Sequence, residues 1–558
     1  MEKNPLLRPS STMFGVVDFR GQPISRSSSG RWTSAFFIIG VEIAERMAYY
    51  GISFNLITYL TGPLNFSTAA AASSVNSWSG ASMLFPLLGA FVADSFLGRY
   101  RTIVLASLLY VLGLGLLTLT AVLSSSCSVD LKLTLNSNSC SPAVLQVVLF
   151  FLSLYLVAFA EGGHKPCLQA FGADQFDETD NQERIARSSF FNWWYFGMNG
   201  GMIASFIALS YIQDNIGWSF GFGIPCAVMG IALLVFLLGS KTYRCYALED
   251  TSPFIRIVKG MADMAMSRQS SADRFASEVE AGDLEQDCSC QSDEDTKLVN
   301  GGKLLGDEQI DEAKGMLRLF PIWATCLAYA ITFSQSSTLF NKQGGTMDRH
   351  IGPSFQISSA ALQSIISIVI VAFIPVYDRV LVPMARNFSG LSTGITHLQR
   401  IGIGIFFSVI SMVVAALVEM KRIQTAREHH LIDEPNATVP MSILWLLPQY
   451  ILFGIMDALG MVGLQEFFYD QVPDALRSLG LALYLSIFGI GSFISGLLVS
   501  VIDEITKREG ESWFSDNLNR AHLDYFYWLL AGLSAIALVF FVCFARSYVY
   551  KKKEYHSV

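Results

Sequence analysis

Charge is scarce in this sequence. Lys, Arg, Asp and Glu make up 15% of its 558 residues, against about 25% in soluble globular domains. A chain so poor in charge cannot solubilise the three or four globular domains that its length would otherwise suggest. A basic surplus is missing too. The net charge is −8, and no basic stripe with interleaved aromatics runs along the chain, which excludes a nucleic-acid partner. The patterns H-E-x-x-H and G-x-x-x-x-G-K-[ST] are absent, so metalloprotease and nucleotide-driven chemistry lack their residues. Neither an enzyme nor a cofactor is expected. The nine cysteines are scattered, mostly in apolar runs where a thiol packs as a small apolar group. Cys288 and Cys290 form a C-x-C with no second ligand pair nearby, so they do not make a metal site. Residues 1–33 are polar, Ser-rich and Arg-bearing, with no apolar core that would read as a signal peptide.

Apolar sequence is what the chain has in abundance, at 52% hydrophobic residues and a mean hydropathy of +0.43. A helix needs roughly 20 apolar residues to cross a bilayer. Candidate spans fall at about 34–60, 72–95, 102–123, 143–168, 188–212, 218–239, 316–340, 357–377, 398–420, 441–469, 477–502 and 525–546. This predicts an all-α integral membrane protein of twelve transmembrane helices in two six-helix bundles. The N-terminal bundle covers 34–239 and the C-terminal bundle 316–546. An acidic, Ser-rich linker at 240–315 joins them, and its composition predicts disorder over most of its length. The tails are 1–33 and 547–558. In the first half, Lys and Arg gather in the N-terminal tail and at Arg99, Arg101, Arg184 and Arg187, while the intervening loops hold only Lys132. Both termini and the linker are therefore expected on the cytosolic side. Lys421, Arg422, Arg427, Lys507, Arg508 and Arg520 run against that rule in the second half. "ADSFLGR" after span two and "YDRVLVP" after span eight share D-x-x-L at matching places, a faint echo between halves. Two six-helix bundles with a central linker favour a transporter with its site between the halves at mid-membrane; a channel or a polytopic enzyme fits the span count as well.

Charge reappears where it is least expected. Residues 41–51, "VEIAERMAYYG", lie inside span one and carry Glu42, Glu45 and Arg46, each costing roughly 2.5–3.5 kcal/mol at a bilayer centre. With Tyr49 they fall at i, i+3, i+4 and i+7, one face of a helix that must point into the bundle rather than at lipid. Glu42 and Arg46 can pair at i,i+4. Two carboxylates beside one guanidinium form a group that can exchange a proton when its neighbours move; a purely structural ion-pair network is the alternative. Span four adds "AFAEGGHKPC" with Glu161, His164 and Lys165, and Lys165 requires an anionic partner from span one or from a solute. Span ten ends "GLQEFFYDQVP", where Glu466 is a carboxylate among aromatics, followed by Asp470.

E-x-x-E-R at 42–46 followed by "AYYGI" resembles the plant nitrate and peptide transporter family, within the proton-coupled oligopeptide transporters of the major facilitator superfamily. The resemblance spans about residues 30–548 and includes "GAFVADSFLGRYRT", "FGADQFDE", "WYFGMNGG", "PIW", "TMDRHIG" and "EFFYDQVP". It implies proton coupling at Glu42, Glu45 and Arg46. It further implies substrate contacts at Arg46, Tyr49, Tyr50, Lys165, Asn199 and Glu466, with aromatic packing for Trp194. The substrate so implied is a small anionic or zwitterionic solute, such as nitrate, a di- or tripeptide or a hormone carboxylate. Nitrate-carrying relatives can use a His on span seven; here Phe333 stands at the comparable place. A membrane sensor signalling through the linker is the alternative function.

Smaller signals bear on sorting and covalent chemistry. Glu2, Leu6 and Leu7 fit an acidic-dileucine pattern read by adaptor proteins, which points to the vacuolar membrane, with the plasma membrane as alternative. Asn436 opens an N-A-T acceptor pattern in a predicted outer loop. Cys127 and Cys140 share one polar loop and can form a disulfide if it faces an oxidising compartment. Expected partners are thus protons, a small solute, membrane lipid and adaptor proteins.

Overall fold

The computed structural model describes residues 12–26, 29–133, 144–177, 180–246, 315, 317–352, 355–389, 395–435, 437–472 and 477–550. Glu2, Leu6, Leu7, Cys140, Cys288, Cys290 and Asn436, with nearly all of the linker, lie outside them. The first half contains α1 (Arg31–Ser53), α2 (Leu56–Thr61), α3 (Thr68–Val92), α4 (Arg99–Leu133), α5 (Val144–Ala173), α6 (Asn181–Ala204), α7 (Ser210–Asn215) and α8 (Trp218–Leu238). The second half contains α9 (Phe320–Phe333), α10 (Leu339–Gly345), α11 (Ser364–Val376), α12 (Val382–Ser389), α13 (His397–Glu428), α14 (Leu447–Asp470), α15 (Arg477–Glu509) and α16 (Leu523–Ser547). Among the described residues nine helices are long and apolar enough to span a bilayer. Three further helices, α1, α6 and α9, complete the twelve-helix pattern. The first two are diluted by charge, since α1 carries Glu42, Glu45 and Arg46 and α6 carries Glu183, Arg184 and Arg187.

Helix α9 stops short for a local reason. The expected span 316–340 breaks at Ser334–Thr338, where polar side chains turn back onto the helix. Gln335 Nε2 donates to the Ile331 carbonyl at 2.8 Å and to Ser495 Oγ at 2.9 Å, and Thr338 Oγ1 donates to the Ser334 carbonyl at 2.9 Å. Such side-chain bonds compete with the helical ladder. Helix α4 shows the reverse: it continues to Leu133, ten residues past its expected apolar boundary at 123. Hydropathy marks where lipid contact ends, not where a helix must end.

The helices sort into two groups. In the first half α4 packs on α5 and α8, α3 on α5, and α1 on α6 and α8. In the second half α13 packs on α14 and α16, α9 on α15 and α16, and α14 on α11 and α15. The groups meet chiefly along α3 and α15. A Cβ at Gly80 would lie 2.8 Å from the Gly489 carbonyl oxygen, so only glycine permits this approach. Polar cross-links gather toward one end of the seam: Asn76 Nδ2 to Ser495 Oγ at 3.1 Å, Ser500 Oγ to Ser73 Oγ at 2.9 Å, and the Thr68 amide to Asp516 Oδ1 at 2.8 Å. Lys342 Nζ donates to Thr61 Oγ1 at 3.1 Å, Asn341 Nδ2 to the Phe54 carbonyl at 2.8 Å, and Arg349 lies 3.8 Å from Asp214.

The D-x-x-L echo has a structural counterpart. Ala93–Leu97 and Tyr377–Leu381 both form a π turn, following α3 and α11 respectively. The basic residues that opposed the charge rule are largely neutralised in place. Arg422 is fully buried against Glu419 at 2.6 Å, Lys507 meets Asp503 at 2.5 Å, Arg508 meets Glu504 at 2.9 Å, and Arg520 pairs with Asp433 and Glu511. Four of those six cations therefore carry their own counter-charge.

At the end opposite the cross-links, β1 (Thr12–Val17) pairs antiparallel with β2 (Pro23–Ser25) and β3 (Cys245–Tyr246). This small sheet ties the segment before α1 to the chain that leaves α8. Arg244, fully buried, donates to Glu183 at 2.7 Å and to the Ser29 and Gln175 carbonyls at 2.9 and 3.0 Å. Burial pushes the Glu183 carboxyl up. Hydrogen bonds from Arg244, the Asp177 amide and Arg31 outweigh it and hold the group at about 2.

Candidate functional site

The span-one face folds inward as its spacing requires. Glu42, Glu45, Arg46 and Tyr49 are 4%, 1%, 3% and 3% exposed, which in a helix otherwise sheathed by apolar side chains means they face the bundle. Arg46 is their hub. Its Nη2 lies 2.5 Å from Glu45 Oε2 and its Nε 3.2 Å from Glu42 Oε1. Tyr110 of α4 donates to Glu45 Oε1 at 3.4 Å. The guanidinium carbon sits 5.8 Å from the Tyr49 ring centroid and 6.0 Å from that of Tyr50, within cation–π range.

Helix α5 brings the next charges. Glu161, fully buried, places Oε1 3.8 Å from Arg46 Nη2 and 3.5 Å from Lys165 Nζ. Lys165 is 27% exposed, lies 6.0 Å from the Tyr49 ring and reaches Met83 Sδ at 3.8 Å. Glycine makes this arrangement possible: a Cβ at Gly162 would meet Phe85 Cβ at 2.6 Å, so α5 can press against α3 only without one. The two helices therefore run close enough to bring the charges of α5 beside α1. His164, on the same turn, is fully buried and shares a hydrogen bond with Ser107 Oγ at 2.7 Å. It anchors α5 to α4 through a side chain rather than capping a helix end.

Other expected contacts are distributed around this cluster. Tyr50 stacks on Phe54 with ring centroids 4.9 Å apart, and Asn199 is half-buried on α6, the helix that packs on α1. Trp194 is buried against Phe190 with centroids 5.6 Å apart, the aromatic packing expected of it. Glu466 is not brought to the cluster. It is 46% exposed and forms a separate group, 3.1 Å from Arg400 Nη1 and 3.3 Å from His397 Nδ1, with Asp470 3.6 Å from His397 Nε2. The carboxylate of α14 that turns inward is Asp457. It is 9% exposed, its Oδ1 meets no hydrogen-bond donor among the described residues, and its electrostatic neighbours are Tyr50, Tyr329 and Tyr484. Tyr50 belongs to the first half and Asp457 to the second, so the two line opposite sides of one interior. Sequence reasoning passed over Asp457 although the signal was present: "GIMDALG" is a lone carboxylate in an apolar run.

A buried charge cluster inside one bundle, a carboxylate facing it from the other, and a polar seam closed at one end define a multi-pass integral membrane transporter rather than an enzyme. Comparison with known proteins agrees. The POT family profile (PTR2) matches residues 100–514. "Protein NRT1/ PTR FAMILY 5.10" of Arabidopsis thaliana is 58% identical over 549 residues, covering 97% of each chain, and "Protein NRT1/ PTR FAMILY 5.14" of the same plant is 52% identical over 555 residues, again covering 97% of each. The chain belongs to the POT family. Its fold matches the crystal structure of an auto-inhibited POT family peptide transporter with a TM-score of 0.71 at 22% identity, covering 94% of this chain and 99% of the other.

Proposed function

We propose that this POT family transporter is a proton-coupled symporter of a small anionic or zwitterionic solute, such as nitrate, a di- or tripeptide or a hormone carboxylate. It works by alternating access between its two bundles. The observation that carries the reading is the sharing of one buried guanidinium, Arg46, between Glu42 and Glu45. Glu42 and Glu45 take the proton, and Arg46 holds whichever carboxylate remains charged. A proton arriving from the outer side weakens the hold of α1 on its neighbours and permits the rocking of one bundle against the other.

Arg46 and Lys165 offer the cationic side of the substrate site, with Tyr49, Tyr50 and Asn199 beside them. Asp457 offers the anionic side, a role for which it is better buried than Glu466. A solute bearing both charges can engage both bundles at once. Glu466, with Arg400 and His397, belongs to the cytosolic mouth. Glu2, Leu6 and Leu7 direct the protein to the vacuolar membrane, and both termini lie in the cytosol.

The test is uptake into vesicles holding the full chain, with nitrate, dipeptides and hormone carboxylates supplied with and without an inward proton gradient. At least one solute is expected to accumulate only with the gradient. Equal uptake with and without it for every transported solute would refute symport.

A further inference from the structure

The charge cluster does not balance. Glu42, Glu45 and Glu161 face two cations, Arg46 and Lys165. Arg46 is engaged by the two carboxylates of its own helix at 2.5 and 3.2 Å, and reaches Glu161 only at 3.8 Å. Glu161 is thus left to Lys165, four residues on along α5 and 3.5 Å away. Apart from the long 3.5 Å contact with Lys165, neither oxygen of Glu161 meets a hydrogen-bond donor among the described residues. A fully buried carboxylate held by so little is poorly compensated. The groups that face it are Glu42, Glu45, Arg46, Tyr49 and Tyr50 of α1, Tyr110 of α4 and Lys165 of its own helix. From α3 it is bordered by the uncharged Met83 and Phe85. His164 turns away to Ser107.

Lys165 is the exposed member of the set. It is the cation that an incoming anion can reach, and it is already occupied. We propose that Glu161 holds Lys165 between transport events, so that an anionic solute reaches Lys165 only after Glu161 has taken up a proton of its own. The proton comes from the outer solution and forms an O–H bond on Glu161, whose ionic contact with Lys165 breaks. The Lys165 ammonium keeps its charge and pairs with the solute anion instead. When the solute leaves, the proton leaves Glu161 and the contact with Lys165 re-forms. Glu161 is a positioning residue by this account, because it acts on the solute through Lys165. It adds one proton per anion to the one carried by α1. The inference rests on the transport reading above.

The experiment uses the full chain in lipid nanodiscs and nitrate as the probe, since nitrate carries one charge and does not titrate. Calorimetric affinity is measured from about pH 5 to pH 8 for the wild type, Glu161→Gln, Glu161→Asp and Lys165→Ala. Wild-type affinity is expected to fall about tenfold more per pH unit than that of Glu161→Gln on the alkaline side, the slope of one competing proton. Glu161→Asp keeps the slope, and Lys165→Ala binds no nitrate. Without nitrate, the acid-minus-neutral infrared difference is expected to lose one protonated-carboxyl band in Glu161→Gln. Equal slopes in wild type and Glu161→Gln, no nitrate binding to Glu161→Gln at neutral pH, or an unchanged carboxyl band would each overturn the proposal. Proton-driven uptake is scored separately. Altered slopes with no gradient-driven uptake sink the symport reading and leave the competition for Lys165 standing; unaltered slopes with normal uptake do the reverse.

Discussion

Replacing Asp516 with Ala is expected to open the closed end of the seam between the bundles. Asp516 belongs to the second half, yet its carboxylate accepts the Thr68 amide at 2.8 Å at the first turn of α3. It therefore caps a helix across the interface, where the N-terminal amides and the helix dipole both favour a negative charge. A hydrogen bond to a charged group contributes about 1.5–3 kcal/mol. When the ends separate, water replaces that bond on both sides, so roughly 2 kcal/mol of bias is a fair mean. By the same arithmetic the ratio of closed to open populations falls about 30-fold in Asp516→Ala. Asp516→Asn, which keeps an acceptor oxygen without the charge, is expected to fall between the two. The assay is energy transfer between fluorophores at Asn65 and Glu511, two exposed positions on opposite halves of this end. Distance distributions that coincide in wild type and Asp516→Ala would refute the idea that this contact biases the conformation.

Other consequences follow from buried contacts. Arg422→Ala leaves Glu419 charged and unpaired in the interior of the second bundle; loss of about 3–5 kcal/mol is expected, read as a lower melting temperature in detergent. Gly162→Val drives a side chain into Phe85 and is expected to cost about 1–3 kcal/mol, measured in the same way. Glu183→Gln removes the negative charge and one of the two carboxylate oxygens that accept from Arg244 and Arg31. Because the Glu183 carboxyl is held down at about 2, its stabilisation is complete above its unfolded value of about 4.3 and is lost as pH falls toward 2. The melting difference between wild type and Glu183→Gln is thus expected to stay constant from neutral pH to about 5 and to shrink below; a difference that grows on acidification would contradict the sign. Leu6→Ala with Leu7→Ala is expected to move a fluorescently tagged chain from the vacuolar to the plasma membrane.

Local rules made one part of this molecule legible and hid another. The inward face of α1 follows from helical period and the cost of charge in lipid, and Glu42, Glu45, Arg46 and Tyr49 are buried together accordingly. The weak D-x-x-L echo also marked something physical, a π turn repeated in each half. Pairings between distant helices were not legible. Nothing in "AEGGHK" says that Glu161 will meet Arg46, because that depends on how closely glycine lets α5 approach α3. Glu466 and Asp457 lie on one helix, nine positions apart, which is about two and a half turns rather than a whole number of turns. They consequently point in different directions, and composition around each cannot tell which faces the interior. The charge rule was blurred in the second half for a similar reason: it counts cations one by one, whereas Arg422, Lys507, Arg508 and Arg520 each meet a carboxylate in the fold.

The central claim is that the carboxylates held by Arg46 couple the proton to transport. Glu45→Gln tests it most directly, since Glu45 makes the shortest contact with that guanidinium and the change keeps its shape. In vesicles loaded with a solute that the wild type carries, the variant is expected to exchange labelled for unlabelled solute while losing accumulation driven by an imposed proton gradient. Gradient-driven accumulation at the wild-type rate in Glu45→Gln would contradict the account.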